Sequence, residues 1–179
     1  ALRHPNIVEV LGHFIQGGRV HVVAQRVAGK ALSRRLDSGE PLPRDWAMRA
    51  IEGTAAAVSY AQSKGVLHSA LQPAHILILE DGTAKVKDFA VSFIARKATA
   101  RHTGSAAGAH RAYLAPEAEM GQTSAQTDVY ALGAIFYELL TGRVPFEGPN
   151  FLDQKRELGY LPASRLAASP ATCGWSRPA

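Results

Sequence analysis

An apolar segment in the second half of the chain limits the fold more than any other feature. Residues 127–140 read TDVYALGAIFYELL, and a helix built from them carries apolar side chains on nearly every face. Because other elements have to cover such a helix on all sides, we expect it to be the central helix of a globular domain. Ser124 or Thr127 is expected to cap its beginning and Gly142 its end. The segment contains Glu138 and is too short to span a membrane.

Two β-hairpins are predicted from local sequence patterns. Residues 8–16 and 19–27 alternate apolar and polar side chains on either side of a Gly-Gly pair, which favours a tight turn between two strands. Residues 76–80 and 83–90 flank an Asp-Gly pair, which is the strongest hairpin signal in the chain. The chain is therefore expected to combine strands with helices.

A second helix is predicted between the two hairpins. Residues 44–64 place Ala, Ile and Val at helical spacing, and Gly65 stands where a C-terminal cap belongs. Residues 91–112 are rich in Ala, Gly, Ser and basic side chains without periodicity, so we expect a long exposed loop that suits regulation. Residues 161–179 also lack periodicity and are expected to form an irregular, poorly ordered tail.

Charge and cysteine content exclude several classes of function. The formal net charge is +5, but the basic residues are scattered without an interleaved aromatic surface, so no nucleic-acid partner is expected. Cys173 is the single cysteine, which rules out an internal disulfide and fits the reducing cytoplasm. No signal peptide or membrane span is recognisable, so no membrane partner is expected. The chain begins at Ala1 without a methionine, and we expect it to be a fragment of a longer protein.

Five segments together resemble the C-terminal lobe of a eukaryotic-type Ser/Thr protein kinase, of the kind also found in bacteria. They occur in the order and spacing of that family, so the resemblance is specific although each segment is short. The segments are LRHPNIVEVLG at 2–12, HSALQPAHILI at 68–78, VKDFA at 86–90, YLAPE at 113–117 and TDVYALGAIFYELLTGRVPFEG at 127–148.

The resemblance implies an α+β fold of the protein-kinase type, with a mainly helical C-terminal lobe and the last strands of an incomplete N-terminal lobe. Residues 1–27 would be the partial N-terminal lobe, and residues 28–160 the C-terminal lobe, truncated after the region of the central helix. Gln25 and Val27 would then lie at the hinge between the lobes, where the family binds its nucleotide.

The resemblance also implies that the catalytic loop has lost its reactive groups. The family pattern H-R-D-L-K-P-x-N falls on residues 68–75, so Ala70 stands where the family has the Asp that accepts the substrate proton. Gln72 replaces the Lys that stabilises the transferring phosphoryl group, and a neutral amide brings no charge. Ser69 replaces the Arg that binds a phosphorylated activation loop.

Two positions correspond to the metal ligands of the family. Asp88 matches the carboxylate that binds Mg²⁺, and the alternative interpretation is a solvated Asp after a strand; Ala90 replaces the Gly of the family pattern. His75 stands where the family has an Asn ligand. An imidazole suits a softer divalent ion better than Mg²⁺, and the plainer interpretation of His75 is a solvent-accessible histidine.

Other matching positions imply structural roles. His68 and Phe89 correspond to the apolar stack that ties the catalytic and metal loops to the core. Asp128 corresponds to a buried helix Asp, which the positive end of its helix stabilises and which can accept backbone N–H bonds from a neighbouring loop. Glu117 corresponds to the anchor at the end of the activation segment.

Two functions remain open at this point. The first is a catalytically inactive kinase-like domain that acts as an interaction or regulatory module for a protein partner, or a degenerate fragment, with no cofactor. The alternative is an active Ser/Thr kinase that uses ATP and Mg²⁺, with His75 as a substitute base and its N-terminal lobe outside this chain. Four basic side chains on the long loop either bind an acidic partner or are simply solvated; they are Arg96, Lys97, Arg101 and Arg111.

Overall fold

In the part of the chain that the structure describes, two long helices pack against each other. The computed structural model describes residues 2–37, 42–89, 112–119 and 121–146. Several predictions concern residues outside these ranges and are not addressed by the structure: the long loop up to residue 111, Ala90, the basic side chains at 96, 97, 101 and 111, Cys173 and the tail.

The first long helix is the one predicted from residues 44–64. Helix α2 spans Arg44–Ser63 and follows a short helix α1 at Ser33–Leu36, which the sequence patterns did not predict. Gly65 has a φ of +73° and donates its backbone N–H to the Gln62 carbonyl, so it ends the helix as expected.

The second long helix is the predicted central helix. Helix α4 spans Ala125–Thr141, and a one-turn helix α3 at Pro116–Glu119 precedes it. Ser124 is the N-cap, and its backbone N–H donates to Thr127 Oγ1 at 3.3 Å, so both residues proposed as caps take part. Gly142 adopts the left-handed conformation, and its N–H reaches the Glu138 carbonyl at 2.8 Å.

The prediction that this helix is covered on all sides is wrong. Val129 is 60% exposed, although Ala131, Ile135 and Leu139 are buried. An apolar composition on every face does not fix how many faces find neighbours, because that number depends on where other elements pack.

The strands in the described ranges form two separate small sheets. One sheet is the predicted first hairpin, β1 (Val10–Gln16) paired antiparallel with β2 (Arg19–Ala24). The other has the order β3-β4-β5, all antiparallel, and is built from Gly29–Ala31, Ile76–Leu79 and Ala84–Val86.

Both hairpins are confirmed, but the strands are shorter than predicted. Residues 25–27 lie outside β2, and residues 87–89 lie outside β5. Strand β3 was not predicted, because three residues are too few to show a period. Its partner β4 begins directly after a 3₁₀ turn at Pro73–His75, so the second sheet holds the end of the HSALQPAH loop.

The hydrophobic core lies between α2, α4 and the second sheet. Ile7 forms a parallel bridge to Val86, and the Val8 N–H donates to the Val86 carbonyl at 2.8 Å. The N-terminal segment is thereby joined to β5. Buried core side chains include Leu32, Ala57, Leu71, Ile76, Ile135 and Leu139.

The first hairpin buries little apolar surface. Its large apolar side chains are 42% to 72% exposed, and every residue of β2 is exposed. In the described part of the chain, neither long helix has the length and apolar character needed to cross a bilayer.

Candidate functional site

The backbone of the HSALQPAH loop, residues 68–75, is held by a carboxylate on α4. The N–H groups of His68 and Ser69 donate to the two oxygens of Asp128, at 2.9 and 2.8 Å. This is the arrangement predicted for Asp128, which lies in the first turn of α4 and is 1% exposed. Burial raises the pKa of the Asp128 carboxyl, and the two N–H bonds partly offset this rise.

His68 joins this loop to the segment after β5. Its ring lies 4.9 Å from the ring of Phe89 and 5.4 Å from that of His75. His68 Nε2 donates to the Lys87 carbonyl at 3.1 Å, whereas its buried Nδ1 has no hydrogen-bond partner in the described part of the chain. Burial, reinforced by the neighbouring His75, lowers the pKa of His68 to about 4. The ring is therefore neutral at pH 7 and packs as an apolar group, as the resemblance implied.

The three residues that the resemblance places at catalytic positions, Ala70, Gln72 and His75, form one small network. His75 Nδ1 donates to the Ala70 carbonyl at 2.9 Å, because a carbonyl oxygen can only accept. The neutral ring then accepts at Nε2, which lies 3.2 Å from the Gln72 amide nitrogen. Ala70 itself is buried and offers only a methyl group.

The interpretation of His75 as a solvent-accessible histidine is wrong. The residue is 8% exposed, because its ring packs on His68 and it lies between the 3₁₀ turn, which it ends, and β4, which begins at Ile76. Burial lowers the pKa of His75, and its bond to the Ala70 carbonyl partly opposes this change. Its side chain is part of the interior of the loop.

Asp88 lies beside this network in an unusual backbone conformation. Its φ is +64°, and Ser69 has a φ of +61°; these are the two non-glycine residues at positive φ in the described part of the chain. Asp88 Oδ2 pairs with Lys87 Nζ at 2.5 Å, and both side chains are partly exposed. Left-handed backbone at two facing loops is costly and persists only where the surroundings enforce it.

The residues present do not fit a magnesium site of the kind the resemblance implies. Mg²⁺ prefers hard oxygen ligands in octahedral geometry. Asp88 offers one carboxylate, which already contacts Lys87, and His75 offers a ring whose nitrogens both have partners. Within the described ranges, no group of three or more His, Cys, Asp and Glu side chains could hold a metal ion.

Other predicted site residues lie apart from this network. Gln25 donates its backbone N–H to the Glu9 carbonyl, and the Val27 carbonyl accepts from Gly29. These contacts belong to the connection between β2 and β3 and do not test a hinge role. Glu117 is half-buried in α3, and its carbonyl accepts from the Gln122 N–H at 3.0 Å. Its anchoring role stays a prediction.

Sequence reasoning missed two residues that organise the site. Lys87 holds three contacts: its carbonyl accepts from His68, its N–H donates to the His75 carbonyl at 2.9 Å, and its ammonium pairs with Asp88. Tyr113 donates its hydroxyl to Glu138 Oε2 at 2.6 Å. Their positions within the VKDFA and YLAPE segments were the available signal, but backbone contacts such as those of Lys87 do not depend on residue type.

A small cavity lies beside the HSALQPAH loop, between the loop, Tyr113 and the first turns of α4. Its wall includes Ser69, Ala70 and Asp128. The cavity has room for about one water molecule, far less than a nucleotide needs. It therefore offers no binding site for a cofactor.

Comparison with known proteins identifies the family of the chain. Residues 1–164 match the family model described as the protein kinase domain. The chain belongs to the protein kinase family, and its α+β architecture is part of that fold. The predicted family, the eukaryotic-type Ser/Thr kinases, is thereby confirmed.

The relatives include bacterial and plant enzymes. The probable serine/threonine-protein kinase PknB of Lactococcus lactis subsp. lactis is 35% identical over 152 residues, which cover 83% of this chain and 24% of that protein. Serine/threonine-protein kinase PrkC of Bacillus subtilis is 34% identical, with 84% and 23% covered. CBL-interacting serine/threonine-protein kinase 9 of Arabidopsis thaliana is 30% identical, with 84% and 34% covered. The chain thus spans about a quarter of the length of the bacterial relatives.

Proposed function

We propose that this domain is a catalytically inactive member of the kinase family that serves a protein partner as an interaction or regulatory module. One observation carries the proposal. The position of the catalytic base holds the methyl group of Ala70, and the adjacent imidazole of His75 engages both of its nitrogens inside the loop. A general base needs a lone pair within hydrogen-bond reach of the substrate hydroxyl.

The alternative of an active kinase requires His75 to act as that base. Its Nδ1 carries the proton donated to Ala70, and its Nε2 accepts from Gln72. Substrate would have to displace the Gln72 amide and bring the His75 side chain to the surface, although His75 is only 8% exposed. These contacts favour the inactive domain over the substitute base.

Charge at the site supports the same proposal. Phosphoryl transfer depends on positive charge placed against the developing charge of the phosphoryl group. Gln72 supplies none, and Lys87 is paired with Asp88. Loss of the base alone lowers rates by roughly 10²- to 10⁴-fold, and the missing charge lowers them further.

The partner and the compartment belong to the proposal as well. An inactive domain that retains the framework of its fold presents a defined surface, and such a surface suits a protein partner. ATP and Mg²⁺ are not needed for that role. The single cysteine fits a reducing compartment, so we place the domain in the cytoplasm.

Phosphate transfer from radiolabelled ATP to a generic basic protein tests the proposal. We expect the 179-residue chain to transfer no more label than its Asp88→Ala variant, with Mg²⁺ or with Mn²⁺. Asp81→Ala is the matched control, because Asp81 is an exposed turn residue whose carboxylate accepts the Thr83 N–H. Transfer that Asp88→Ala or His75→Ala abolishes, and that Asp81→Ala leaves intact, would show an active kinase.

Nucleotide binding is measured separately by thermal melting. A ligand that binds only the folded state raises its melting temperature in a saturable way. We expect no such rise at millimolar ATP with Mg²⁺ or Mn²⁺. A rise that Asp88→Ala removes and Asp81→Ala keeps would contradict the expectation that no cofactor is used.

A further inference from the structure

The His75 side chain closes the HSALQPAH loop on itself. Its Nδ1 lies 2.9 Å from the Ala70 carbonyl, five residues earlier in the chain, and its Nε2 lies 3.2 Å from the Gln72 amide. The two bonds leave from opposite ends of one rigid ring. The ring therefore fixes the positions of both Ala70 and Gln72.

The same residue joins this loop to the segment that follows β5. The His75 carbonyl accepts the Lys87 N–H at 2.9 Å, and the His75 ring stacks on His68 at 5.4 Å. His68 in turn contacts Phe89 and the Lys87 carbonyl. His75 is thus bonded within one loop and packed against the contacts of the other.

The position is the one at which the resemblance places a metal ligand, and the residues there do not fit Mg²⁺. A loop ordered by a bound ion needs that ion to satisfy its polar groups. Here the Ala70 carbonyl and the Gln72 amide are satisfied by an imidazole of the same chain. Ordering by a side chain requires no ligand.

We propose that His75 is a built-in closing residue, which holds the HSALQPAH loop in one conformation without metal or nucleotide. The inference rests on the proposed function and adds the state of the site: the loop is permanently formed and does not respond to ligand. A partner would meet the same loop surface at all times. The domain would then act as a fixed scaffold.

Hydrogen exchange of the backbone amides tests this role. The readout is the exchange of Ser69, His75 and Lys87 amides relative to amides in the middle of α2, so that global unfolding, which affects both, is recognised. Wild-type chain is measured alone, with MgCl₂, and with MgCl₂ and ATP. We expect the same protection of the loop in all three conditions.

Variants of His75 and Gln72 separate hydrogen bonding from packing. His75→Phe keeps a ring for stacking but has no ring nitrogen, so loop exchange should rise about tenfold relative to α2. Gln72→Met removes only the partner of Nε2 and should give a smaller rise, about fivefold. If His75→Phe fails to fold, Gln72→Met decides. His13→Ala, on the first hairpin, is the control and should leave loop exchange unchanged.

Each outcome has one meaning. Unchanged loop exchange in His75→Phe would show that His75 does not close the loop. Where that variant does not fold, unchanged exchange in Gln72→Met would show that the ring does not hold the loop through both of its nitrogens, which also overturns the inference. Protection of the wild-type loop that appears only with Mg²⁺ or ATP would also overturn the inference. None of these results depends on phosphate transfer. A failure of this inference therefore appears in the exchange experiment, whereas a failure of the proposed function appears in the transfer assay.

Discussion

Asp88 holds a backbone conformation that its side chain makes costly. Its φ is +64°, a region that glycine enters freely and alanine enters at a cost of about 1 kcal/mol. We therefore expect Asp88→Gly to be more stable than Asp88→Ala by about 1 kcal/mol in urea unfolding. Both variants lose the ion pair with Lys87, so the difference between their free energies of unfolding measures the cost of the left-handed backbone at residue 88.

The matched control is a pair of variants in α2, Glu52→Gly and Glu52→Ala, for which we expect the opposite order of stability. Glu52 is exposed in the middle of that helix, where glycine is less stable than alanine by about 1 kcal/mol. Equal stability of the two Asp88 variants would show that residue 88 leaves the left-handed region once its carboxylate is removed.

His68 makes the stability of the domain depend on pH. Its pKa is about 4 in the folded protein, against an ordinary value of 6.5 for an unfolded chain. Between pH 4 and pH 6.5 the unfolded state binds more protons than the folded state does. The stability that the neutral His68 ring contributes is therefore fully present above pH 6.5 and is lost as the pH falls towards 4. The loss is on the order of 3 kcal/mol for this one residue.

The measurement is the free energy of unfolding of wild type and His68→Phe across that window. Burial also lowers the pKa of His75 and raises that of Asp128, and the raised pKa of Asp128 changes stability with pH in the opposite direction. Only the difference between wild type and His68→Phe therefore isolates His68. We expect the variant to lose less stability on acidification. Parallel profiles would mean that His68 does not titrate in this window.

At the scale of elements, one hydrogen bond joins the segment before α3 to α4. The Tyr113 hydroxyl donates to Glu138 at 2.6 Å, and burial together with this carboxylate raises the pKa of Tyr113. Bonds to charged groups contribute about 1.5 to 3 kcal/mol. We expect Tyr113→Phe to lower the free energy of unfolding at pH 7 by about 2 kcal/mol.

Tyr60→Phe is the control for this change. Tyr60 lies on α2, where its ring stacks on His4 at 5.0 Å and lies under the Lys64 ammonium. These contacts use the ring and survive the substitution, so we expect a change within about 0.5 kcal/mol. Equal losses in the two variants would show that the Tyr113–Glu138 bond contributes nothing beyond removal of a hydroxyl.

At the scale of the whole molecule, the first hairpin carries most of the exposed large apolar side chains in the described part of the chain. Leu11, Ile15 and Val20 are 64%, 72% and 66% exposed, and Ile15 faces Val20 across the strands. Unpaired strand edges beside exposed apolar side chains promote association. We expect the isolated chain to sediment as concentration-dependent oligomers.

The double variant Ile15→Lys with Val20→Glu should reduce this association. The two new charges are opposite in sign and face each other, so the hairpin pairing is retained. Val129→Lys, which adds a charge at an exposed site on α4, is the control and should associate like wild type. A wild-type chain that is monomeric at all concentrations would refute the expectation.

Much of the local structure followed from the sequence alone. The limits of α2 and α4 were predicted to within two residues, because caps such as Ser124, Gly65 and Gly142 act through contacts a few residues away. The bonds from Asp128 to the loop were also foreseen, through the resemblance. Strand β3 was not, since its pairing with β4 joins residues far apart in the chain.

The sequence by itself determined the family, the two long helices and the chemical groups present at Ala70 and Gln72, a methyl group and a neutral amide, since these depend on residue type and near neighbours. Only the tertiary structure decided that His75 is buried with both ring nitrogens engaged, that Lys87 joins two loops, and that Val129 stays exposed. Burial and hydrogen-bond partners depend on which distant segments meet. That meeting is set by the packing of the whole chain, and no local pattern records it.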